Sequence, residues 1–373
     1  MNTVISALGK AAPAGPAEAH GNDRLADFTT PLVRNCWYVA GWASDFQRAL
    51  VDRVLLGESV VFYRREDGRP AALQNRCPHR SFPLVHGRLE GDEVRCGYHG
   101  LLFRADGTCA DIPSQDTIPR SVSTRSYPVV ERGPFMWIWM GDASLADEAL
   151  IPGTEWLADS AWSFASGYLG LDASHVYLHE NLLDLSHYTF LHPTTLGTPE
   201  YACTPFEMDS PGAMVRISRF VERCDVPPMY RSTGITGQMS RFTTSEFTTP
   251  AIHKASVVLG DLGTDGPGRR EFTAFITHFV TPRDQTSTHY WFTFARNFAV
   301  GDVAVTAEFE QNALTAFNED KVALEEAARM YALDPRAARL EIHLRSDRAG
   351  TAARRIIKRL ADEESTYGNQ ETT

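Results

Sequence analysis

The apolar residues follow one pattern up to about residue 150 and a different one beyond it. In the first part, short runs of β-branched and aromatic residues, such as 60–63 and 135–139, are separated by Gly, Asp and Pro. Short apolar runs between turn-forming residues are typical of strands. The stretch from Trp37 to Trp139 therefore predicts a small all-β domain.

The second part combines strands with helices. β-Branched and aromatic residues predict strands at 215–221, 241–248, 271–280 and 288–295. Apolar residues at helical spacing predict helices at about 172–191, 303–331 and 347–363. This mixture indicates an α+β domain in which a sheet carries its helices on one side.

Length and composition suggest how the chain is divided. Its 373 residues suffice for two domains. We expect a disordered or loosely attached arm at 1–28, which is rich in Ala, Gly and Pro, an all-β domain at 29–150 and the α+β domain at 151–373.

Charge and cysteine content narrow the class of protein. A formal net charge of −11 argues against nucleic-acid binding, which requires clustered Lys and Arg. Neither a membrane span nor export is expected, because the sequence has no sufficiently long apolar run and no signal-like start. Six scattered cysteines are too few for a disulfide framework, which favours a reducing cytoplasm.

Two short motifs carry the strongest chemical signal: Cys77-Pro-His79 and Cys96-Gly-Tyr-His99, separated by the sixteen residues 80–95. Two thiolates and two imidazoles on twin loops are the ligands of a Rieske [2Fe–2S] cluster, in which histidines replace the cysteines on one iron and raise its reduction potential. A structural zinc is the alternative, but the C-x-H spacing is too tight for a zinc knuckle. The motifs predict an electron-using enzyme or an electron carrier.

A second metal site is indicated further along the chain. Asp184 and His187 lie on one face of the predicted helix 172–191, His192 follows five residues after His187, and Asp320 lies on the helix at 303–331. Two histidines and a carboxylate can bind Fe(II) and leave positions open for dioxygen and substrate. Polar residues on a helix more often form a solvated face, but an electron-collecting cluster needs an acceptor, which favours the metal.

Two other histidines are interpreted differently. His175 and His179 also lie four residues apart on the predicted helix. We expect them to serve local packing or a surface face.

With both motifs, the sequence resembles the oxygenase component of Rieske non-heme iron oxygenases, in the vanillate and dicamba O-demethylase branch. The resemblance runs from about Asn35 to the last predicted helix, and its most specific strings are CPHR, CGYHG, NLLDLSHYTFLH and NEDKVALEEA. It implies a catalytic domain of helix-grip type, a [2Fe–2S] cluster and a mononuclear non-heme Fe(II).

The resemblance also implies roles for individual residues. His187, His192 and Asp320 match the iron ligands, and Asn181 matches an asparagine close to the iron. Asp184 matches the acidic residue that joins the iron site of one subunit to a cluster histidine of its neighbour, which here is His99. A head-to-tail homotrimer follows from that relation.

The substrate pocket is less well matched. Gln311 stands where the dicamba enzyme has a tryptophan against its substrate, which leaves the substrate open. His278, on a predicted strand, either faces the pocket or is a buried structural histidine.

The resemblance implies a monooxygenase that inserts one oxygen atom of O2 into an alkyl C–H next to O or N of an aromatic compound and thereby demethylates or dealkylates it. The alternatives are an oxygenase that hydroxylates aromatic rings and, in another class, a Rieske electron carrier without catalysis. The sequence contains neither G-x-G-x-x-G after a strand nor a plant-type cluster motif, so we expect a separate reductase or ferredoxin. Arg80, Arg88 and Arg95 are candidates for contact with an acidic donor, or are ordinary solvated arginines.

Overall fold

The structure is a computed structural model that describes residues 25–263, 270–334 and 341–368. Its N-terminal half consists of short strands in three sheets and its C-terminal half contains one large sheet covered by helices. An all-β part followed by an α+β part confirms the predicted fold class. None of the described helices has the length and apolar character needed to cross a membrane.

The N-terminal half contains ten short strands. They are β1 (Trp37–Trp42), β2 (Val51–Leu55), β3 (Glu58–Arg64), β4 (Pro70–Gln74), β5 (Arg88–Glu90), β6 (Glu93–Arg95), β7 (Leu102–Phe103), β8 (Cys109–Asp111), β9 (Val129–Arg132) and β10 (Phe135–Trp139). Their sheets have the orders β1-β10-β9, β2-β3-β4 and β5-β6-β7-β8. The predicted runs 60–63 and 135–139 thus lie in β3 and β10.

The C-terminal half contains a seven-stranded antiparallel sheet of order β11-β17-β16-β15-β14-β13-β12. Its strands are β11 (Ser163–Leu171), β12 (Phe206–Asp209), β13 (Val215–Asp225), β14 (Gln238–Thr249), β15 (Ile252–Asp261), β16 (Glu271–Pro282) and β17 (Thr288–Arg296). The four predicted strands are found as β13, β14, β16 and β17, whereas β11, β12 and β15 were missed. Strand β11 was missed because it contains glycine, which is uncommon in strands. Glycine is needed there, since a Cβ at Gly167 would lie 2.4 Å from the Phe292 ring.

The α-helices are α1 (His175–Leu183), α2 (Tyr188–Leu191), α3 (Val303–Leu333) and α4 (Arg348–Gly368). The prediction of a single helix at 172–191 is wrong. The helix is interrupted at Asp184, whose φ of −114° and ψ of 95° are extended rather than helical. The Asp184 carboxylate accepts a hydrogen bond from the Ser186 N–H at 2.8 Å. Such a local bond competes with continued helix, so Asp184 and His187 do not share a helix face.

Alternate residues of the catalytic sheet contact different layers. On β16, Val280 belongs to a buried cluster that includes Phe317 of α3, whereas Phe279 packs against Trp137 of β10. The strand alternation therefore places helices against one face of the sheet and the N-terminal half against the other.

The predicted N-terminal arm needs a correction at its end. Residues 1–24 lie outside the described residues, but Ala26 is fully buried. Its carbonyl accepts a hydrogen bond from Arg354 Nε of α4 at 2.8 Å. The chain is thus anchored before residue 28, because α4 folds back over it.

Candidate metal centres

The two cysteine motifs form loops of the same conformation. The Cys77 N–H donates to the Phe82 carbonyl at 2.9 Å, and the Cys96 N–H donates to the Leu101 carbonyl at 2.8 Å. In each loop the residue four positions after the cysteine has positive φ: 57° at Ser81 and 76° at Gly100. The backbone, rather than side-chain packing, therefore shapes both loops.

These loops bring the four predicted cluster ligands together with their cysteines inside and histidines outside. Cys77 and Cys96 are each 2% exposed, whereas His79 and His99 are exposed and their ring centroids lie 4.5 Å apart. Gly97 allows the close approach of the loops, because a Cβ there would lie 2.5 Å from the His86 carbonyl oxygen.

The chemistry of this donor set fits a [2Fe–2S] cluster. Burial, together with the neighbouring Cys96 thiol, raises the pKa of Cys77 to about 11. Two buried thiols without a disulfide are suited to iron, because coordination deprotonates a thiol. The histidine-ligated iron would lie at the surface, where an electron donor can reach it.

The predicted iron ligands converge at a second place. His187 and His192 flank α2, and Asp320 projects from α3, which the chain reaches more than a hundred residues later. The Asp320 Oδ1 atom lies 3.4 Å from His187 Nε2 and 3.2 Å from His192 Nε2, and the three ligand atoms lie within 4.8 Å of one another. Both Nε2 atoms are buried and have no hydrogen-bond partner among the described residues. A cation at their centre would satisfy them, so the set fits a mononuclear iron.

The electrostatics of the three ligands agree with this fit. Burial lowers the pKa of His187. Burial opposes the charge of Asp320, but its close contact with His192 and the charges of both histidines outweigh that effect and lower its pKa. Burial also opposes a charge on His192, but the interactions with Asp320 and Glu319 raise its pKa. An ionised carboxylate opposite two imidazoles favours a bound cation.

Neighbouring groups fix the orientation of the ligands. His192 Nδ1 is hydrogen-bonded to Glu319 Oε2 at 2.8 Å, and Asn181 Nδ2 donates to Asp320 Oδ1 at 3.0 Å. His187 Nδ1 is hydrogen-bonded to the backbone carbonyl of Asp184 rather than to its carboxylate. Carboxylates and carbonyls commonly hold ligand histidines in this way. Glu319 was not predicted from the sequence, because no local pattern marks it as the partner of His192, which lies 127 residues away in the chain.

A narrow cavity of about 10 Å³ adjoins the three ligands. Asn181, Tyr188, Leu196 and His278 contribute to its lining. His278 is 4% exposed, and its Nδ1 is hydrogen-bonded to the Tyr290 hydroxyl at 2.6 Å. His278 is therefore buried, as expected of a structural histidine, and it also faces the cavity, which was the other possibility.

Gln311 is not brought to this cavity. It is exposed on α3, and its Nε2 donates to Thr315 Oγ1 at 3.5 Å on the same helix. His175 and His179 are packing residues rather than a surface face, because they are 3% and 0% exposed. His179 is held by a hydrogen bond between its Nε2 and the Pro250 carbonyl at 3.0 Å.

Comparison with known families covers both halves. Residues 36–128 match the Rieske [2Fe-2S] domain, and residues 171–363 match the vanillate O-demethylase oxygenase C-terminal domain. The first match favours the cluster over the zinc alternative. The second is incompatible with an electron carrier that lacks a catalytic domain.

Individual relatives extend over most of the chain. The toluene-4-sulfonate monooxygenase system iron-sulfur subunit of Comamonas testosteroni is 40% identical over 303 residues, which cover 79% of this chain and 87% of that protein. The vanillate O-demethylase oxygenase subunit of a Pseudomonas species is 33% identical over 320 residues, which cover 83% and 96%.

The fold is shared with a solved structure. The crystal structure of dicamba monooxygenase bound to dicamba has a TM-score of 0.81 and 28% identity, and the match covers 90% of this chain and 99% of that one. Another crystal structure of that enzyme contains non-heme iron. The predicted cofactors, a [2Fe–2S] cluster and a mononuclear iron, are confirmed at this level. The chain is a Rieske-type oxidoreductase and belongs to the Rieske non-heme iron oxygenases, in the branch with the vanillate O-demethylase type of catalytic domain.

Proposed function

We propose that this protein is the terminal oxygenase of a multicomponent monooxygenase that demethylates or dealkylates an aromatic compound in a degradative reaction. The observation that carries the proposal is the triad of His187, His192 and Asp320 beside a narrow cavity, in a chain that also has the cluster loops. Relatives named as O-demethylases and as an N-alkylformylase support O- or N-dealkylation.

In this proposal, His187, His192 and Asp320 would hold an iron that supplies the chemistry of dioxygen activation, and the cluster loops would hold the group that supplies electrons. Glu319 holds the His192 ring through Nδ1, and Asn181 holds the Asp320 carboxylate, so the ligands keep their orientation. The apolar part of the cavity excludes water, and His278 is placed to hydrogen-bond a polar group of the substrate. Hydroxylation of a methyl group on oxygen or nitrogen gives a hemiacetal or carbinolamine, which releases formaldehyde.

A second reaction is favoured by one comparison. The relative at 40% identity is named for toluene-4-sulfonate, whose methyl group is attached to the ring. Hydroxylation there gives an alcohol and no formaldehyde. Ring hydroxylation is a third outcome.

A substrate panel tests the three reactions. Methoxybenzoates, N-alkyl anilides, toluene-4-sulfonate and unsubstituted arenes would be supplied with O2 and a surrogate reductase, while formaldehyde, products and oxygen uptake are measured. Formaldehyde in proportion to oxygen consumed supports dealkylation. Benzylic alcohol or ring-hydroxylated product without formaldehyde would replace the dealkylase proposal, and oxygen uptake independent of every substrate would contradict it.

We also propose a homotrimer in which His99 of one subunit meets Asp184 of the next. Two exposed aromatic residues support such contact surfaces: Tyr98, beside His99, is 60% exposed, and Phe190, on α2 between the two iron histidines, is 79% exposed. Exposed aromatic residues are enriched at protein interfaces. Light scattering would measure the assembly, and a monomer would refute this proposal.

Asp184→Asn tests the path between subunits. The amide retains an oxygen that can accept the Ser186 N–H, so both metals should be retained. Transfer from a pre-reduced cluster should slow severely, because the bridging charge is lost. Normal reoxidation in a single turnover would show that Asp184 only caps the turn at 185–187.

The electron donor is proposed to be a separate reductase or ferredoxin, and the compartment to be the cytoplasm, since all six cysteines are free. Two of the candidate docking arginines are already paired. Arg95 contacts Glu90 and Asp111 at 2.6 and 2.9 Å, and Arg88 contacts Glu90 at 2.7 Å. Exposed Arg80 therefore is the better candidate.

A further inference from the structure

Arg241 on β14 is a fully buried cation that has no counter-ion among the described residues. Its exposure is 0%, and its Nη1 donates to the Leu196 carbonyl at 2.8 Å. Its Nε and Nη2 atoms are buried and have no hydrogen-bond partner, and no carboxylate forms an ion pair with it, within the part of the chain that the structure describes. Burying a charge without a partner is strongly unfavourable.

Aromatic rings surround this guanidinium. Its carbon lies 4.4 Å from the centroid of Tyr201, 5.3 Å from Tyr230 and 5.7 Å from Tyr188. The Tyr230 hydroxyl is also buried beside the guanidinium. Cation–π contacts offset part of the desolvation, but they leave the hydrogen-bond donors unused.

A second cation lies against this aromatic cage, which is formed by Tyr188, Tyr201 and Tyr230. Arg219 is 3% exposed, and its guanidinium carbon lies 5.3 Å from the Tyr201 centroid. Its Nη1 donates to the Tyr201 carbonyl at 2.5 Å, whereas its Nε has no partner among the described residues. Two neighbouring guanidinium groups with spare donors make the cage strongly favourable for an anion.

Other buried arginines show what a structural arginine looks like in this protein. Arg354 is neutralised by Glu341 at 2.8 Å and Glu180 at 3.3 Å. Arg296 also has unpartnered Nε and Nη1 atoms, but its Nη2 donates to the Asp302 carbonyl and to Thr306 Oγ1, and thereby holds the start of α3. Within the described ranges, Arg241 has one backbone hydrogen bond and no ion pair, so fewer polar groups hold it than hold either of these arginines.

The position of Arg241 connects it to the iron site. Leu196 and Tyr188, which it contacts, both line the cavity beside the iron ligands. The Tyr188 ring centroid lies 5.0 Å from that of His187 and 5.4 Å from that of His192. One aromatic residue thus separates the unpaired cation from the proposed iron ligands.

We propose that Arg241 anchors the anionic group of an aromatic substrate, a sulfonate or a carboxylate, while the opposite end of the substrate ring lies at the triad. This inference rests on the proposed oxygenase function and assigns its substrate class. The cavity of about 10 Å³ is far smaller than a typical ligand site of ~300–1,000 Å³. The substrate therefore displaces the Tyr188 ring and joins the cavity to Arg241. Arg219 increases the positive potential at the anionic end.

Calorimetric titration of the holoenzyme tests the anchor without turnover. The probes are toluene-4-sulfonate, 4-methoxybenzoate and the neutral isostere toluene-4-sulfonamide. We expect the preferred anion to bind at least roughly 30-fold more tightly than the sulfonamide, because a buried charge pair is broken when one partner is neutral. Comparison of the two anions distinguishes a sulfonate from a carboxylate site. Equal affinity for all three probes would overturn the proposal.

Two substitutions at Arg241 and a matched control locate the effect. Arg241→Gln should abolish the preference for the anion without weakening sulfonamide binding, and Arg241→Lys should retain part of it. Arg296→Gln, at another fully buried arginine, should keep the wild-type affinity ratio even if the protein is less stable. An unchanged ratio in Arg241→Gln, or an equal loss in Arg296→Gln, would contradict the anchor. If Arg241→Gln does not fold, the wild-type ratio and Arg241→Lys decide the question.

The same titrations separate this inference from the proposed reaction. Anion preference that depends on Arg241, without oxygenated product from any aromatic compound, would support the anchor and refute the oxygenase proposal. Oxygenated products accompanied by equal affinity for charged and neutral probes would refute the anchor alone.

Discussion

The two proposed metal sites are built in opposite ways. The proposed cluster ligands all lie within residues 77–99, on loops shaped by their own backbone hydrogen bonds, with both histidines exposed. The proposed iron ligands come from two distant segments, and His192 and Asp320 are 0% and 4% exposed. A local, exposed site suits electron collection, whereas a buried site assembled by the fold can exclude water from the reaction.

The largest expected effect separates the two regions completely. Asp320→Ala removes the only carboxylate of the described triad, so iron content and turnover should fall below detection. The optical and low-temperature paramagnetic signature of the cluster should persist, because its ligands lie in the other half of the chain. Wild-type turnover in this variant would show that the iron is bound elsewhere.

The converse substitution is Cys96→Ser. It removes one of two buried thiolates, so the Rieske signature and electron-driven turnover should both disappear while mononuclear iron is retained. Metal analysis and paramagnetic resonance would measure the two sites separately. A full cluster signal would disprove the ligand assignment.

A smaller effect is expected from the group behind His192. Glu319→Gln keeps the shape but removes the charge that holds Nδ1, and should weaken iron affinity or activity by about 10–100-fold. Glu326→Gln, at an exposed position of the same helix where Glu326 pairs with Arg329, is the matched control. Equal effects of both substitutions would show that Glu319 has no specific role in holding His192.

Acid should affect the catalytic half through its buried histidines. Burial lowers the pKa of His175 to about 3 and of His179 to about 4. The unfolded chain binds protons below a pKa of about 6.5 whereas the folded state does not, so stability falls as the pH drops from 6.5 towards 4.

When the pH falls from 7 to 5, each of these histidines should lower the free energy of unfolding by roughly 2 kcal/mol. His179→Gln retains a donor for the Pro250 carbonyl and should reduce the loss by about that amount. Urea unfolding at both pH values measures the difference. The same pH dependence in the variant and the wild type would show that His179 does not contribute.

The comparison also explains what the sequence could predict. The cluster was predictable because its four ligands are close in the chain and its loops need particular residues at fixed spacing. The three iron ligands were named from spacing and resemblance, but the break at Asp184 was not, since a carboxylate accepting the Ser186 N–H looks like any helical residue in the sequence. Strand β11 was missed because Gly167 and Gly170 weaken its strand pattern.

The residues that support the iron ligands from distant segments could not be predicted. Glu319 and Arg241 reach the iron site from α3 and β14, and no local pattern marks either residue as close to His192 or Tyr188. Gln311 shows the same limit, because a position matched in sequence lies on the exposed side of α3.

The proposed function requires that electrons collected at the exposed cluster are used at the buried triad. Its most direct test is a single turnover in which the cluster is reduced, the reductant is removed, and substrate and O2 are added. We predict that wild-type clusters reoxidise as oxygenated product forms, and that clusters in Asp320→Ala stay reduced and no product appears. Reoxidation at the wild-type rate in Asp320→Ala, or product formation without cluster reoxidation, would contradict the account.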